Sequence, residues 1–409
     1  MLDDFIRKVV VWPLWLLISG FIATLIAADI LLVLSLPIIR NIPIIAIVII
    51  LGGYFYTGFV ISKPPIATYF LLFLALFAIP GLFLNKIAGE ETSSLRFVLQ
   101  LVFALSVLVI PSKQILVLDI KFLLKFLNIL GWIFVVSRIL VLILYPETSA
   151  AIHELAFIMP LFLIPALYSK NFKFTAISIF IAGVLFLINP RTTMFLVFTM
   201  TFLIPVLLLT VRILGIKTIL IILAFSSIIF FVFLTQILGF ISEIDKIFKT
   251  SFGRNSNASF RQYLIVVGIV EFLKSPVYGK YFSGSNGYST KYEDGKELPL
   301  HNDLLEIAVQ GGVIGVFLFL SGILGLFFTL NRILYQKYNE LDDSLRILII
   351  TVSTSLITGL TTIAFNPIVN STHTGFFFFF ILGVSILLIR YVRLNDFGPV
   401  ILRKNKKNS

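Results

Sequence analysis

Cysteine is absent from the 409 residues, which excludes a disulfide framework, a thiolate metal site and a cysteine nucleophile. Charge is scarce. Asp, Glu, Lys and Arg together make 13% of the chain, against about a quarter in a soluble globular domain. Histidine occurs three times, as His153, His301 and His373, and no pair has metal-ligand spacing. The longer loops hold no Asp-x-Asp, and their densest acidic group is Glu293, Asp294 and Glu297. No phosphate-cradling Gly-Lys loop and no Gly-x-Ser-x-Gly elbow is found, so neither a metal site nor a nucleotide cofactor is expected. Sustained polar/apolar alternation is missing too, which excludes a transmembrane β-barrel.

What the chain has instead is apolar length. Hydrophobic residues make 59% of it, and they fall in repeated runs of about 20, enough to cross a hydrocarbon core as helices. The expected class is an all-α polytopic membrane protein of about twelve spans, at 12–37, 42–62, 64–84, 95–112, 122–145, 152–168, 173–189, 191–211, 218–242, 303–330, 345–366 and 374–391. The first run lacks a small-residue cleavage signal and reads as a retained helix. This divides the chain into helices 1–9 (1–242), a large loop (243–302), helices 10–12 (303–391) and a basic tail (392–409).

The net charge of +12 follows topology rather than nucleic acid. Basic residues such as Lys113, Lys121, Lys170, Arg212 and Arg332 gather in alternate connections, with Arg403, Lys404, Lys406 and Lys407 in the tail. The opposite connections carry Glu90, Glu91, Glu147 and Glu154. By the positive-inside rule both termini are expected in the cytoplasm and loop 243–302 outside.

That loop far exceeds ordinary connections, and such loops are usually functional or disordered. Ser259-Phe260-Arg261-Gln262 fits a capping box opening an amphipathic helix that Ser275-Pro276 ends. Gly279–Gly287 reads as flexible, polar and aromatic, equally suited to contacting a substrate or to plain solvation.

Basic groups recur at the expected starts of helices on the outer face. Asn189-Pro190-Arg191 opens the eighth span, Arg261 lies in the first turn of the loop helix, and His301 precedes Asn302 and Asp303, expected caps of the tenth span. Helix N-termini present free N–H groups and partial positive charge, and an added Arg can grip a phosphate in two places. Each has a plain alternative: Arg191 as a headgroup anchor, Arg261 as a partner of Glu271 or another loop carboxylate, His301 as an incidental surface residue. Arg138 lies inside the fifth span, where charge is costly, and should face the interior or a wet cavity, with Asp29 a possible counter-ion. A histidine at a helix N-terminus is held neutral and can accept a proton, a role open to His301, with Glu306 a second base or a group orienting it.

His301-Asn302, nine residues, Gly312, two residues and Gly315 together resemble the signature of the bacterial O-antigen ligase and polymerase superfamily. Arg261 opening a helix, Lys274-Ser275-Pro276-Val277-Tyr278-Gly279 and Asn189-Pro190-Arg191 resemble further parts of that family. The resemblance implies a GT-C type membrane glycosyltransferase in the bacterial inner membrane, acting on the outer leaflet with inversion and without cofactor or metal. Its donor would be an undecaprenyl-diphosphate-linked oligosaccharide, and a chain-length-regulating membrane protein is a further implied partner besides the bilayer. The family's functional residues would map onto Arg191 and Arg261 as diphosphate binders and His301 as the catalytic base. Beside that mapping, the residues themselves offer Arg138 and Arg254 as further diphosphate-binding cations, Glu306 as a second catalytic group, and Lys280, Tyr281 and Asn302 as glycan contacts. A polymerase would extend the next lipid-linked repeat of O-antigen or capsule; a ligase would transfer to lipid A–core. Outside this class stand a lipid-linked oligosaccharide flippase, which would need cations along a central cavity, and a solute transporter, which would show two related halves with interrupted helices.

Overall fold

A computed structural model describes residues 12–27, 42–57, 64–88, 93–144, 155–169, 171–188, 200–206, 258–283, 288–289, 297–298, 300, 302–364 and 372–406. The helices are α1 (Leu14–Ala27), α2 (Ile42–Thr57), α3 (Ile66–Ala88), α4 (Ser93–Leu105), α5 (Ser112–Leu116), α6 (Ile120–Leu144), α7 (Leu155–Leu167), α8 (Phe172–Ile188), α9 (Ala258–Lys274), α10 (Asp303–Lys337), α11 (Asp343–Ile363) and α12 (Thr372–Lys406). A 3-10 turn, Ser106–Val109, continues α4, and 200–206 is a further helical segment. The only strands among the described residues are two-residue β1 (Tyr288–Ser289) and β2 (Glu297–Leu298), paired antiparallel within the long loop.

The chain is an essentially all-helical membrane protein. Four described helices are long and apolar enough to cross a bilayer: Ile120–Leu140 of α6, α10, α11 and Gly375–Asn395 of α12. Against about twelve expected spans, four described helices have that length and composition; α1, α2, α3, α4, α7 and α8 supply shorter apolar stretches. The ninth expected span, 218–242, lies outside the described residues.

Helix α12 is the axis of the bundle. Phe376–Phe380 are all buried, and Trp15 of α1 stacks between Phe103 and Phe380 at 5.5 and 5.8 Å. Trp15 reaches that depth because position 383 is glycine; a Cβ there would meet the indole ring. Glycine also lets α3 approach α10, where Gly322 and Gly325 receive Leu71 and Ala67. In lipid, where apolar burial gives no preference for a neighbouring helix, such close backbone approach is what drives association.

Breaks in the helices are repaired from neighbouring elements. Pro165 inside α7 has no N–H to offer Leu161, and Asn128 of α6 donates to the Leu161 carbonyl at 3.3 Å. Where α4 gives way to its 3-10 turn, Arg390 of α12 donates to the carbonyls of Val107 and Ile110, the latter at 2.8 Å. A backbone group left unpaired in hydrocarbon costs several kcal/mol, so each repair is a condition of the fold.

Candidate functional site

The tenth span is not one helix. Gly312 has φ +62° and ψ −165° inside α10, dividing it into a first segment, 303–311, and a longer one from Val313. Asn302 caps the first segment, its Oδ1 accepting from the Leu305 N–H at 2.9 Å. The break leaves Val313 and Ile314 without helical acceptors and the Gln310 carbonyl without a helical donor.

A strap following α9, residues 275–283, fills that gap. Val313 N–H donates to the Pro276 carbonyl at 2.8 Å and Ile314 N–H to the Val277 carbonyl at 3.3 Å. The Gln310 carbonyl accepts from both Lys280 and Phe282 N–H at 2.9 Å. The strap therefore replaces the missing turn of α10. Contact this close needs glycine on both sides. A Cβ at Gly312 would collide with the Val277 carbonyl, and one at Gly279, φ +60°, would overlap the backbone of Gln310 and Gly312.

Phe282 locks the strap in place. It is buried, stacks on Phe97 of α4 at 5.2 Å with the planes 10° apart, and lies against Gly311. Gly81 of α3 admits the Tyr281–Phe282 backbone, and the Tyr281 ring meets Phe77 at 5.7 Å. To reach these places Tyr281 and Phe282 take φ of 52° and 59°, a left-handed conformation unfavourable for aromatic residues. Strain of this kind persists only where surrounding contacts over-determine it, and it concentrates at functional sites. The expectation of a flexible 279–287 is therefore corrected for 279–283, where backbone hydrogen bonds and one buried ring fix the chain.

Helix α9 runs beside the first segment of α10 in the same direction, with Gly268 level with Leu305 and Pro276 level with Val313. Gly268 packs on Leu300 and Leu305, and Leu300 and Val309 form a small core with Val267 and Phe272. Arg261, seven residues before Gly268, lies roughly 10 Å further back along the helix. Ser259 lies within the described helix rather than at its cap. It is also apolar on both faces rather than amphipathic: from Leu264 to Leu273 only Glu271 is charged.

Glu271 joins helix and strap, pairing with Lys274 and, at 3.2 Å, with Lys280. The Lys274 hydrogen bond, helped by Lys280 and opposed by partial burial, holds its carboxyl below the usual carboxylate range. Lys280 is thus engaged by a carboxylate of the loop itself.

On the face of α10 turned towards the main bundle, Asp303, Glu306 and Gln310 are buried one above another, with the Gln310 amide donating to Glu306 Oε1 at 3.1 Å. Arg138 is buried too, its guanidinium 4.8 Å above the Phe134 ring one turn below it. Phe134 meets Phe377, Phe97 meets Phe379, and Phe97 meets Phe282, so Arg138 and the strap share one end of the bundle. At that end the structure gathers Glu306, Asn302, Lys280 and Tyr281, while the backbone of Arg261, fifteen residues before Pro276, lies roughly 22 Å back along α9 from the strap. His301, Arg191, Arg254 and Asp29 lie outside the described residues, as do the side chain of Arg261 and the acidic side chains at 293, 294 and 297.

Compared with known proteins, the chain matches no family model and no curated relative.

Proposed function

We propose that the chain is a membrane glycosyltransferase that transfers a growing glycan from a polyprenyl diphosphate to the next lipid-linked repeat unit, a polysaccharide polymerase. The observation that supports this best is the parallel register of α9 on α10, which turns the Arg261 end of one helix the same way as the capped start of the other. A cation and a helix N-terminus together suit a diphosphate, and His301, covalently next to the Asn302 cap, suits a neutral base.

In this reading the acceptor hydroxyl attacks the anomeric carbon while His301 takes its proton. The new C–O bond forms as the bond to the diphosphate oxygen breaks, and the configuration inverts. Arg191 and Arg261 stabilise the charge that develops on the leaving diphosphate. Glu306, buried one turn below the cap and hydrogen-bonded to Gln310, serves to orient the site. Arg138 supplies positive potential from the same end of the bundle. The site faces the exterior of a bacterial inner membrane, with both termini in the cytoplasm.

Transfer to lipid A–core, the ligase reading, is favoured by one feature: the spacing from His301-Asn302 to Gly312 and Gly315. The fold supplies a physical reason for that spacing, since Gly312 is the kink that receives the strap. The test is the purified full chain in nanodiscs with a synthetic undecaprenyl-diphosphate-linked repeat unit, alone and with lipid A–core. A product ladder from the repeat unit alone, lost in His301→Ala, is the expected result. Transfer only when lipid A–core is present would make the chain a ligase, and no product with either acceptor would reject the glycosyltransferase reading.

A further inference from the structure

Helix α9 carries a face that no described residue covers. Ile265, Val266, Ile269, Val270 and Leu273 are all exposed, Val266 at 58% and Leu273 at 64%. At 100° per residue they occupy one arc of about 140°. The opposite arc, with Leu264 and Gly268, packs on α10, so this is not a displaced core helix. An uninterrupted aliphatic arc on a loop in water would be an aggregation or docking surface, far from the scattered single residues a soluble surface tolerates. An apolar stretch this short is also too short to span a bilayer; in a membrane protein it is a buried core helix or an interfacial segment. Its exposure among the described residues speaks against the first.

Continuity decides what covers the arc. At its C-terminal end it runs into Val277, 49% exposed, whose carbonyl accepts from Ile314. Beside it stand Val313, 57% exposed, and Phe317, 59% exposed, at the start of the longer part of α10. The 19 residues from Val313 to Asn331, before Arg332, measure about 28 Å as a helix, close to the thickness of a hydrocarbon core. Val313 therefore stands at one edge of the core, and the strap beside it stands at the interface. Two further features belong at that depth. The Glu271–Lys274–Lys280 ion cluster lies where α9 meets the strap, and the half-exposed rings of Tyr278 and Tyr281 stack there at 5.9 Å.

We infer that α9 is an interfacial membrane helix: the Gly312 kink lays α9 and the first segment of α10 along the bilayer surface, with the outward arc of α9 in the acyl-chain boundary of the leaflet where α10 begins. The occupant of the surface is bilayer lipid. The long loop is then anchored on two sides, by the strap in protein and by α9 in lipid, and the candidate site is held at the membrane surface. This rests on the membrane reading of the fold and not on any enzymatic activity.

The chain contains no cysteine, so single cysteines report without background. Val266→Cys, Leu273→Cys, Phe317→Cys as lipid-facing reference and Asp343→Cys as aqueous reference would each be labelled with a fluorophore in full-length protein in phosphatidylcholine/phosphatidylglycerol nanodiscs. Because the two test positions are exposed, substitution disturbs no packing. The expected result is quenching at 266 and 273 by doxyl-labelled lipid, as at 317, with iodide quenching at least about threefold weaker than at 343. Iodide quenching at 266 and 273 equal to that at 343 would overturn the inference. So would shielding from both quenchers, which would mean that protein, a second copy or another segment, covers the arc.

Discussion

The bundle breaks its helical ladder at both ends and repairs the two breaks by different means. Beyond α4, a single side chain does it: Arg390, on the buried axis helix, bonds the carbonyls of Val107 and Ile110. At Gly312 the repair is made by the backbone of a separate segment, through four hydrogen bonds, two left-handed aromatic residues and a ring wedged against Phe97. The first repair is part of a helix that cannot leave without unfolding the bundle. The second belongs to a loop whose docked conformation costs about 1–2 kcal/mol at each left-handed residue. One break is plain scaffolding; the other couples the ends of a long loop to the start of α10, and that is where a site on a membrane surface would be built.

The sharpest way to break this comparison is Gly312→Leu. Leucine at φ +62° and ψ −165°, a conformation essentially reserved for glycine, costs about 1–3 kcal/mol, and its collision with the Val277 carbonyl adds overpacking of about 1–3 kcal/mol. The melting temperature in detergent should fall further than in Arg390→Leu or Lys280→Ala, and protease should cut at residues 275–283 before global unfolding. Gly52, whose added Cβ would have nothing within 4 Å, is the control; Gly52→Ala should be neutral or slightly stabilising. A Gly312→Leu protein that melts with the wild type would mean that strap and kink are not one unit.

Arg390→Leu tests the other repair. Two charge-assisted hydrogen bonds are lost and the Ile110 carbonyl is orphaned, while the Val107 carbonyl keeps the Ile110 N–H, at a cost of roughly 2–4 kcal/mol after the relief of a buried charge. The global melting temperature should drop while protease sensitivity at the strap stays unchanged. Arg390→Lys, able to reach one carbonyl, should recover part of the loss. Strap cleavage in Arg390→Leu would show that the two ends are coupled and the contrast is false.

How much of this is legible in the residues follows the same division. The helical membrane class is legible because apolar runs report it directly, and Asn302 as a cap is legible because capping is local. The tenth span reads as one continuous helix because its apolar run does not stop at Gly311-Gly312. The Gly pair is a visible signal of a close backbone approach, but its partner lies some thirty residues earlier in the strap, and no periodicity links them. Tyr281 reads as a sugar contact, yet its neighbour Phe282 anchors the strap, because a run of exposed-looking polar residues hides one buried ring. Arg390 escapes a reading of the chain altogether. Near the end of an apolar run it has the place of a snorkelling flank, and only the packing of α12 on the end of α4 turns it inwards. Lys280 looks like a free cation in a polar loop until the return of the strap along α9 brings it to Glu271.

That pair gives the smallest and most specific effect. Glu271 has a folded pKa below the ordinary glutamate value of about 4.3, so its contribution to stability is fully present above that value and is lost as pH falls through the lower folded one. The tie between α9 and the strap is therefore constant across neutral pH and weakens only in acid. As a partly exposed ion cluster it contributes on the order of 0.2–1 kcal/mol, less at high salt. Lys280→Ala should lower the melting temperature slightly at pH 7 and narrow the gap between pH 7 and about pH 3.5 relative to wild type, because part of what acid removes is already gone. Lys274 keeps its own bond to Glu271, so the gap should shrink without closing. An undiminished gap in Lys280→Ala would place the acid sensitivity elsewhere and leave the strap held by its backbone and Phe282 alone.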